Sequence, residues 1–278
     1  MAKTIVLHSG GLDSTYVLHY LLTNTSDEIT ALFVDESYVT VAGRCFQTEL
    51  SVYQKQKAKK VVDWLSANVR EVTFASKPMR NLESGVTPQV ALFKIAAQYA
   101  NDNGFVKICS GNGPRVVDLL WGIPTGDEYT RLDSRRVYAE VVNEIAGSGV
   151  TCSWPIIDNN ANIAMRIAAV PSALANLCAV CISPTINDSG EYTSCGKCYK
   201  EAFRAMVVDA VSRNLTTAEN FATWFASDID DDPEITFNWN GDFTVTKQQL
   251  VKVNTFGTAV DPDGTRPEGL YSQYHMLK

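Results

Sequence analysis

The most constraining feature of the chain is a six-residue segment near its start, Ser9-Gly10-Gly11-Leu12-Asp13-Ser14, set directly behind the apolar run Thr4–His8. A short run rich in branched apolar residues that ends in Ser-Gly-Gly predicts a buried strand and a tight turn. Leu12, Tyr16, Val17 and Leu21 then recur at helical spacing, which predicts a helix over 12–22. In that order the turn receives the open amides and the positive dipole end of the helix. The two glycines let backbone approach a ligand closely, and Ser9 and Ser14 add hydroxyl donors. Such a loop suits an anion. It contains no lysine, and G-x-x-x-x-G-K-[ST] occurs nowhere in the chain, so an ordinary P-loop is excluded as a motif match. The simpler alternative is a strand–helix turn capped by Ser or Asp.

The pattern continues. Strands are predicted at 29–34, 69–75, 106–110 and 149–155, and helices at 46–66, 89–101 and 132–146. Strands separated by helices demand crossovers rather than hairpins, hence an α/β fold with a parallel sheet and helices on both faces. Ligands in such sheets bind beyond the carboxyl ends of the strands, where Ser9, Asp35, Ser110 and Pro155 are expected. The run Lys55-Lys57-Lys59-Lys60 reads as a solvated helix face. After residue 170 the periodicity fades. A helix is predicted over 199–213, and alternating segments around Asn240-Gly241 predict a β-hairpin. The expected organisation is a nucleotide-binding core over 1–171, a metal-binding segment with its helix over 172–214, and a small appendage over 215–278.

The chain has 278 residues, long enough to bury a core without covalent staples. No apolar run approaches a membrane span and the first residues lack a signal peptide's pattern, so a cytoplasmic protein is expected. A net charge of −7 argues against long-range attraction to nucleic acid and favours a small-molecule substrate. In a reducing compartment seven cysteines read as metal chemistry rather than disulfides. Four cluster as Cys178-x-x-Cys181 and Cys195-Gly196-Lys197-Cys198. Two such knuckles predict one closed, structural tetrahedral Zn²⁺ site. Reduced buried pairs or a redox C-x-x-C are the alternatives. Cys109 and Cys152 read as small buried hydrophobes, with a persulfide-carrying thiol as the functional alternative. His8 reads as a packed strand residue or an active-site group.

Ser9–Ser14 resembles the PP-loop of the ATP pyrophosphatases, whose members cleave ATP between the α and β phosphates and pass AMP to a substrate oxygen. Together with the late C-G-K-C at Cys195–Cys198, and with Trp154-Pro155-Ile156-Ile157-Asp158 ahead of it, the chain is similar to the 7-cyano-7-deazaguanine synthase family over about residues 3–210. The resemblance implies an adenine nucleotide alpha hydrolase-like fold, with ATP, Mg²⁺ and Zn²⁺ as cofactors. It implies adenylation of 7-carboxy-7-deazaguanine, with ammonia giving first an amide and then a nitrile, in a homodimer. It implies ATP binding by His8, Ser9, Gly10, Gly11, Leu12, Asp13, Ser14, Thr15, Phe33, Asp35 and Gly111, with Asp35 near the ribose. Asp13, Ser14 and Arg115 are the expected catalytic residues.

Two departures stand out. Position 201 is Glu where the family places its last Cys, and Cys178 stands upstream as the expected replacement. The zinc set is thus expected to be Cys178, Cys181, Cys195 and Cys198. The family's lysine after the proline–aspartate segment is missing, with Ala161 near its place. Arg115, Arg131, Arg135, Arg136 and Arg166 are candidate substitutes. Other readings are a deazaguanine amide or conjugate as product, a tRNA-modifying enzyme, or a zinc-ribbon interaction module.

Overall fold

The computed structural model describes residues 1–36, 40–41, 44–45, 48–79, 88–111, 126–181, 184–196, 199–226, 236–238 and 244–246. Its strands are β1 (Lys3–Leu7), β2 (Glu28–Asp35), β3 (Thr40–Val41), β4 (Arg44–Cys45), β5 (Thr73–Pro78), β6 (Lys107–Ser110), β7 (Thr151–Ser153), β8 (Thr185–Ile186), β9 (Tyr192–Thr193), β10 (Thr236–Asn238) and β11 (Thr244–Thr246). Its helices are α1 (Leu12–Asn24), α2 (Thr48–Asn68), α3 (Pro88–Asn103), α4 (Gly126–Ala146), α5 (Pro155–Asp158), α6 (Ile163–Ala169), α7 (Ser172–Ala175), α8 (Tyr199–Ser212) and α9 (Phe221–Ala226).

Five strands form one parallel sheet in the order β5-β2-β1-β6-β7. Successive side chains of a strand point to opposite faces, so a sheet with two covered faces needs apolar residues at consecutive positions. β1 and β2 have them. Val6, Ile29, Ala31 and Cys109 pack on one face with α1 and α2, through Val17, Leu21, Val61 and Leu65. Ile5, Leu32, Val34 and Ile108 pack on the other face with α3 and α4, through Phe93, Ala97 and Val142. The fold is therefore α/β with helices on both faces of the sheet.

The strand order places the site. From β1 the chain builds outward on one side to β2 and β5, and on the other side to β6 and β7. The connection after β1 enters α1 on one face, while α4, which follows β6, lies on the opposite face. A crevice opens where neighbouring strands send their connections to opposite faces. Here that point lies between the carboxyl ends of β1 and β6.

Several boundaries differ from those the sequence predicts. The strand expected at 69–75 begins at Thr73. The amides of Val69 and Arg70 both donate to Leu65 O, at 2.9 and 3.1 Å, and so close α2 instead of starting a strand. The strand expected over 149–155 is cut to Thr151–Ser153, because Gly147 at φ +77° turns the chain and Pro155 opens α5. α6 is absent from the sequence reading. It is capped by Asn162, whose Oδ1 accepts from Met165 N at 3.0 Å. β8 and β9 are likewise unforeseen: Asn187 and Gly190 (φ +80°) make a tight turn that pairs them antiparallel. Just beyond residue 214 the described chain is tied to the core, since Asn162 Nδ2 donates to the carbonyls of Ala218 and Glu219 at 2.8 and 3.1 Å. Phe221 and Phe225 are buried against Phe203. β10 and β11 pair antiparallel, while the predicted turn Asn240-Gly241 lies outside the described residues. Among the described residues no helix is long and apolar enough to cross a membrane.

Candidate functional site

Ser9–Ser14 joins β1 to α1 at that crevice. Gly10 sits at φ +76°, and a Cβ there would stand 2.7 Å from both Gln54 O and Ala58 N of α2. Only glycine meets both demands, the left-handed backbone and the contact with a neighbouring helix. Gly111, just past β6, is equally confined: a Cβ would lie 2.8 Å from Ser14 N. Two loops from adjacent strands thus press on the first turn of α1. The N-cap of α1 is Gly11, with no side-chain cap, and the first helical bond runs from Thr15 N to Gly11 O at 3.0 Å. The helix geometry therefore leaves the amides of Leu12, Asp13 and Ser14 without intrahelical acceptors.

The hydroxyls are arranged around the same turn. Ser14 Oγ lies 3.1 Å from Gly11 O, accepts from Ser9 N at 3.2 Å, and lies 3.1 Å from His8 Nδ1. Thr15 Oγ1 donates to Gly11 O at 2.8 Å and is fully buried, so it braces the turn rather than facing the crevice. His8 is 2 % exposed, and its Nε2 has no hydrogen-bond partner. Burial lowers the His8 pKa to about 4, the Ala58 backbone opposing the shift, so the ring is neutral at physiological pH.

Asp13 is half-exposed. Its Oδ1 receives Arg166 Nη1 at 2.7 Å, and the Arg166 side chain is only 5 % exposed. Arg166 Nε also donates to Asn162 O at 3.2 Å, which fixes the fork. Among the candidate arginines with described side chains, Arg166 is the one that reaches the loop. Arg135 lies over the Trp154 ring at 5.9 Å, and Arg136 pairs with Glu140 at 3.7 Å. Arg115 and the side chain of Arg131 lie outside the described residues.

A cleft of about 200 Å³ runs from this turn across the carboxyl ends of β1, β2 and β6. His8, Ser9, Asp13, Ser14, Phe33 and Gly111 line it, as the sequence predicts. Gln54, Glu36, Leu92, Phe93 and Ser110 line it as well, and of these the sequence places Glu36 and Ser110 at strand ends. Phe33 and Phe93 give it an apolar, planar part suited to a heteroaromatic ring. Gly10, Gly11, Leu12, Thr15 and Asp35 do not line it. Asp35 is buried: Oδ1 accepts from Ser51 Oγ at 3.0 Å and Oδ2 pairs with Lys55 Nζ at 2.9 Å. The carboxylate at the cleft edge is that of the next residue, Glu36, whose pKa burial raises. Lys55 is therefore not a plain solvated charge.

The cysteine segment meets this loop directly. Ala179 N donates to Gly10 O at 2.7 Å, and Gly11 and Ala179 form an isolated parallel bridge. The residues on either side of Ala179 diverge. The Cys178 thiol turns into the core beside α1, hydrogen-bonded to Leu174 O at 3.6 Å, and burial raises its pKa. Cys181 turns the other way, toward Tyr53 of α2. The β8–β9 turn folds Cys195 back onto it, with Cys195 N donating to Cys181 Sγ at 3.3 Å. Glu201, in the first turn of α8, reaches Cys195 Sγ with Oε2 at 3.3 Å. The ligand atoms of Cys181, Cys195 and Glu201 all lie within 4.8 Å of one another.

Two thiols and a carboxylate at that separation suit a tetrahedral Zn²⁺, whose bonds of about 2.0–2.3 Å hold its ligands roughly 3.5 Å apart. Cys178 does not join this group, contrary to the expected set, because its side chain belongs to the core. Glu201 does join it. Its signal in the sequence is a Glu three residues past C-G-K-C. Cys198 lies outside the described residues. Cys109 and Cys152 stand apart, on strands β6 and β7, and burial pushes both thiols up to about 11. At physiological pH both are neutral thiols. No family model matches this sequence, and no curated protein matches it.

Proposed function

We propose that the chain is an ATP-dependent ligase of the AMP- and pyrophosphate-forming type. The observation that carries this reading is the uncapped first turn of α1, ringed by Ser9 and Ser14 and set at the switch point of a parallel sheet. Open amides, a helix dipole and two hydroxyls form a seat for a polyphosphate. Phe33 and Phe93 supply apolar walls for a base alongside. Mg²⁺ would neutralise phosphate charge beside Asp13, while Arg166 holds that carboxylate in place and contributes the buried positive charge the loop itself lacks. Zn²⁺ would be held by Cys181, Cys195 and Glu201, with Cys198 the fourth candidate, and would act as a structural clamp on the segment that docks against Gly10.

The substrate class comes from resemblance: 7-carboxy-7-deazaguanine with ammonia. The carboxylate oxygen attacks the α-phosphorus and pyrophosphate leaves. Ammonia then displaces AMP to give the amide. A second adenylation, now of the amide oxygen, followed by loss of AMP and a proton gives the nitrile. The purified zinc-loaded protein is expected to convert ATP to AMP and pyrophosphate only when that acid and ammonium are both present. ADP as the product would overturn the reaction type. Mass spectrometry of the deazapurine separates amide, nitrile and conjugate.

A further inference from the structure

A histidine just past a strand and ahead of a phosphate-type loop is unusual chemistry to bury, and His8 has one close polar side-chain partner. Its Nδ1 lies 3.1 Å from Ser14 Oγ, while Nε2 is buried with no partner. Both atoms belong to a ring that is 2 % exposed and lines the cleft.

Ser14 has one proton and two lone pairs to distribute. One lone pair accepts from Ser9 N at 3.2 Å. If His8 carries its proton on Nε2, Nδ1 is an acceptor and takes the Ser14 proton. Ser14 then has nothing to give an anion. If His8 carries its proton on Nδ1, that N–H fills the second lone pair, and Ser14 becomes a pure donor. Its proton then goes to Gly11 O at 3.1 Å, to Ser9 Oγ at 3.4 Å, or to a ligand at the turn. The second arrangement also suits the surroundings. Ser14 Oγ already has a backbone acceptor for its proton in Gly11 O at 3.1 Å, so it can take the Nδ1–H of His8 without giving up a donor bond. Burial keeps the ring neutral, so the choice between the two tautomers is real at physiological pH.

We propose that His8 is a positioning residue of the loop: its Nδ1–H donates to Ser14 Oγ and so commits the Ser14 hydroxyl proton to the bound pyrophosphate moiety. This rests on the reading of the loop as a pyrophosphate seat. His8 does not touch the transferred group or exchange a proton with it. It acts through Ser14, by filling the lone pair that would otherwise compete for the hydroxyl's orientation.

The test uses the zinc-loaded protein and magnesium pyrophosphate as probe, followed by titration calorimetry. His8→Leu keeps an apolar side chain of similar bulk and removes the donor. It is expected to weaken binding about tenfold, the loss of one well-placed hydrogen bond to an anion. His8→Asn places an amide N–H where Nδ1 stood and is expected to bind within about twofold of wild type. Ser14→Ala is expected to lose at least as much as His8→Leu, and the double variant no more than Ser14→Ala alone. Wild-type binding combined with full affinity in His8→Leu, or additive losses in the double variant, overturns the proposal while leaving the pyrophosphate seat intact. If the wild type does not bind the probe, the functional reading fails instead. The nitrogen-15 spectrum of wild-type His8 then decides the His8–Ser14 bond on its own: a proton on Nδ1 upholds it and a proton on Nε2 overturns it.

Discussion

The loop at Ser9–Ser14 and the cysteine segment at 178–201 meet at Ala179, whose N donates to Gly10 O and which bridges Gly11 in parallel register, yet they are built on different terms. The loop is contiguous. Its geometry is set by its own backbone, by a positive φ at Gly10 and by the helix that starts two residues later. The metal group is assembled from three places: a knuckle, the far side of the β8–β9 turn, and the first turn of α8. A contiguous motif keeps its meaning wherever the fold carries it. A dispersed ligand set does not, because a small difference in position decides whether a side chain faces the metal group or the core. Cys178 and Cys181 show that difference within four residues.

Four experiments test this contrast. The largest effect is expected in the dispersed site. Cys195→Ser should lose both zinc and soluble protein, because structural zinc binding is worth about 10–16 kcal/mol of folding energy. Cys178→Ser should keep full zinc stoichiometry, and Glu201→Gln should reduce it. Soluble yield is the check for Cys195→Ser and metal analysis of the purified protein for the other two, and zinc loss in Cys178→Ser would return that residue to the ligand set.

Next comes the loop. Gly10→Ala should cost about 3 kcal/mol, since a Cβ would meet α2 backbone that has little room to yield. Gly104→Ala is the control. It has a similar φ of +70° but nothing within 4 Å of the added Cβ, and should cost about 1 kcal/mol. Equal losses in urea unfolding would show that strain alone, not the contact with α2, makes Gly10 necessary.

The Asp13–Arg166 pair is asymmetric. Asp13→Ala leaves a guanidinium buried without its carboxylate and should cost about 3 kcal/mol as well as activity. Arg166→Met leaves a half-exposed carboxylate that water can solvate, and should cost about 1 kcal/mol. The reverse order of Tm values would mean that Asp13 is the more dependent partner.

The smallest effect is electrostatic. His8 has a folded pKa near 4, below its usual 6.5, so the unfolded chain binds the proton more readily. Its contribution to stability is present in full above pH 6.5 and is lost as pH falls from 6.5 toward 4, the loss reaching about 2 kcal/mol at pH 5. His8→Leu should flatten that part of the stability–pH curve. An unchanged slope would place the proton-linked group elsewhere.

Much of the fold was legible because both faces of the sheet are covered: the apolar runs at 4–8, 29–34 and 106–110 are what a strand buried on two sides requires. Ser9 and Ser14 were legible from the turn and helix start behind the first strand, whereas Asp13, Phe33 and Gly111 came from the resemblance of Ser9–Ser14 to the PP-loop. The rest depended on distance along the chain. Asp35 reads as a ligand-facing carboxylate until Ser51 and Lys55 come from α2 to occupy it. Arg166 is one of five candidate arginines, and only its burial beside Asp13 singles it out. Gln54 and Phe93 carry no motif at all. They line the cleft because of where their helices dock.

α2 has a consequence for how this chain tolerates change. Ser51, Gln54, Lys55 and Ala58 lie on one face of it, at intervals of three and four, and serve Asp35, the cleft and Gly10. Tyr53 points the opposite way, to Ser194 at 2.9 Å beside the cysteines. Each residue added to a helix turns everything beyond it by about 100°. One inserted or deleted codon between 51 and 58 would therefore unseat the glycine loop from one half of the helix or the cysteine segment from the other. Length, more than residue identity, is what this helix must preserve.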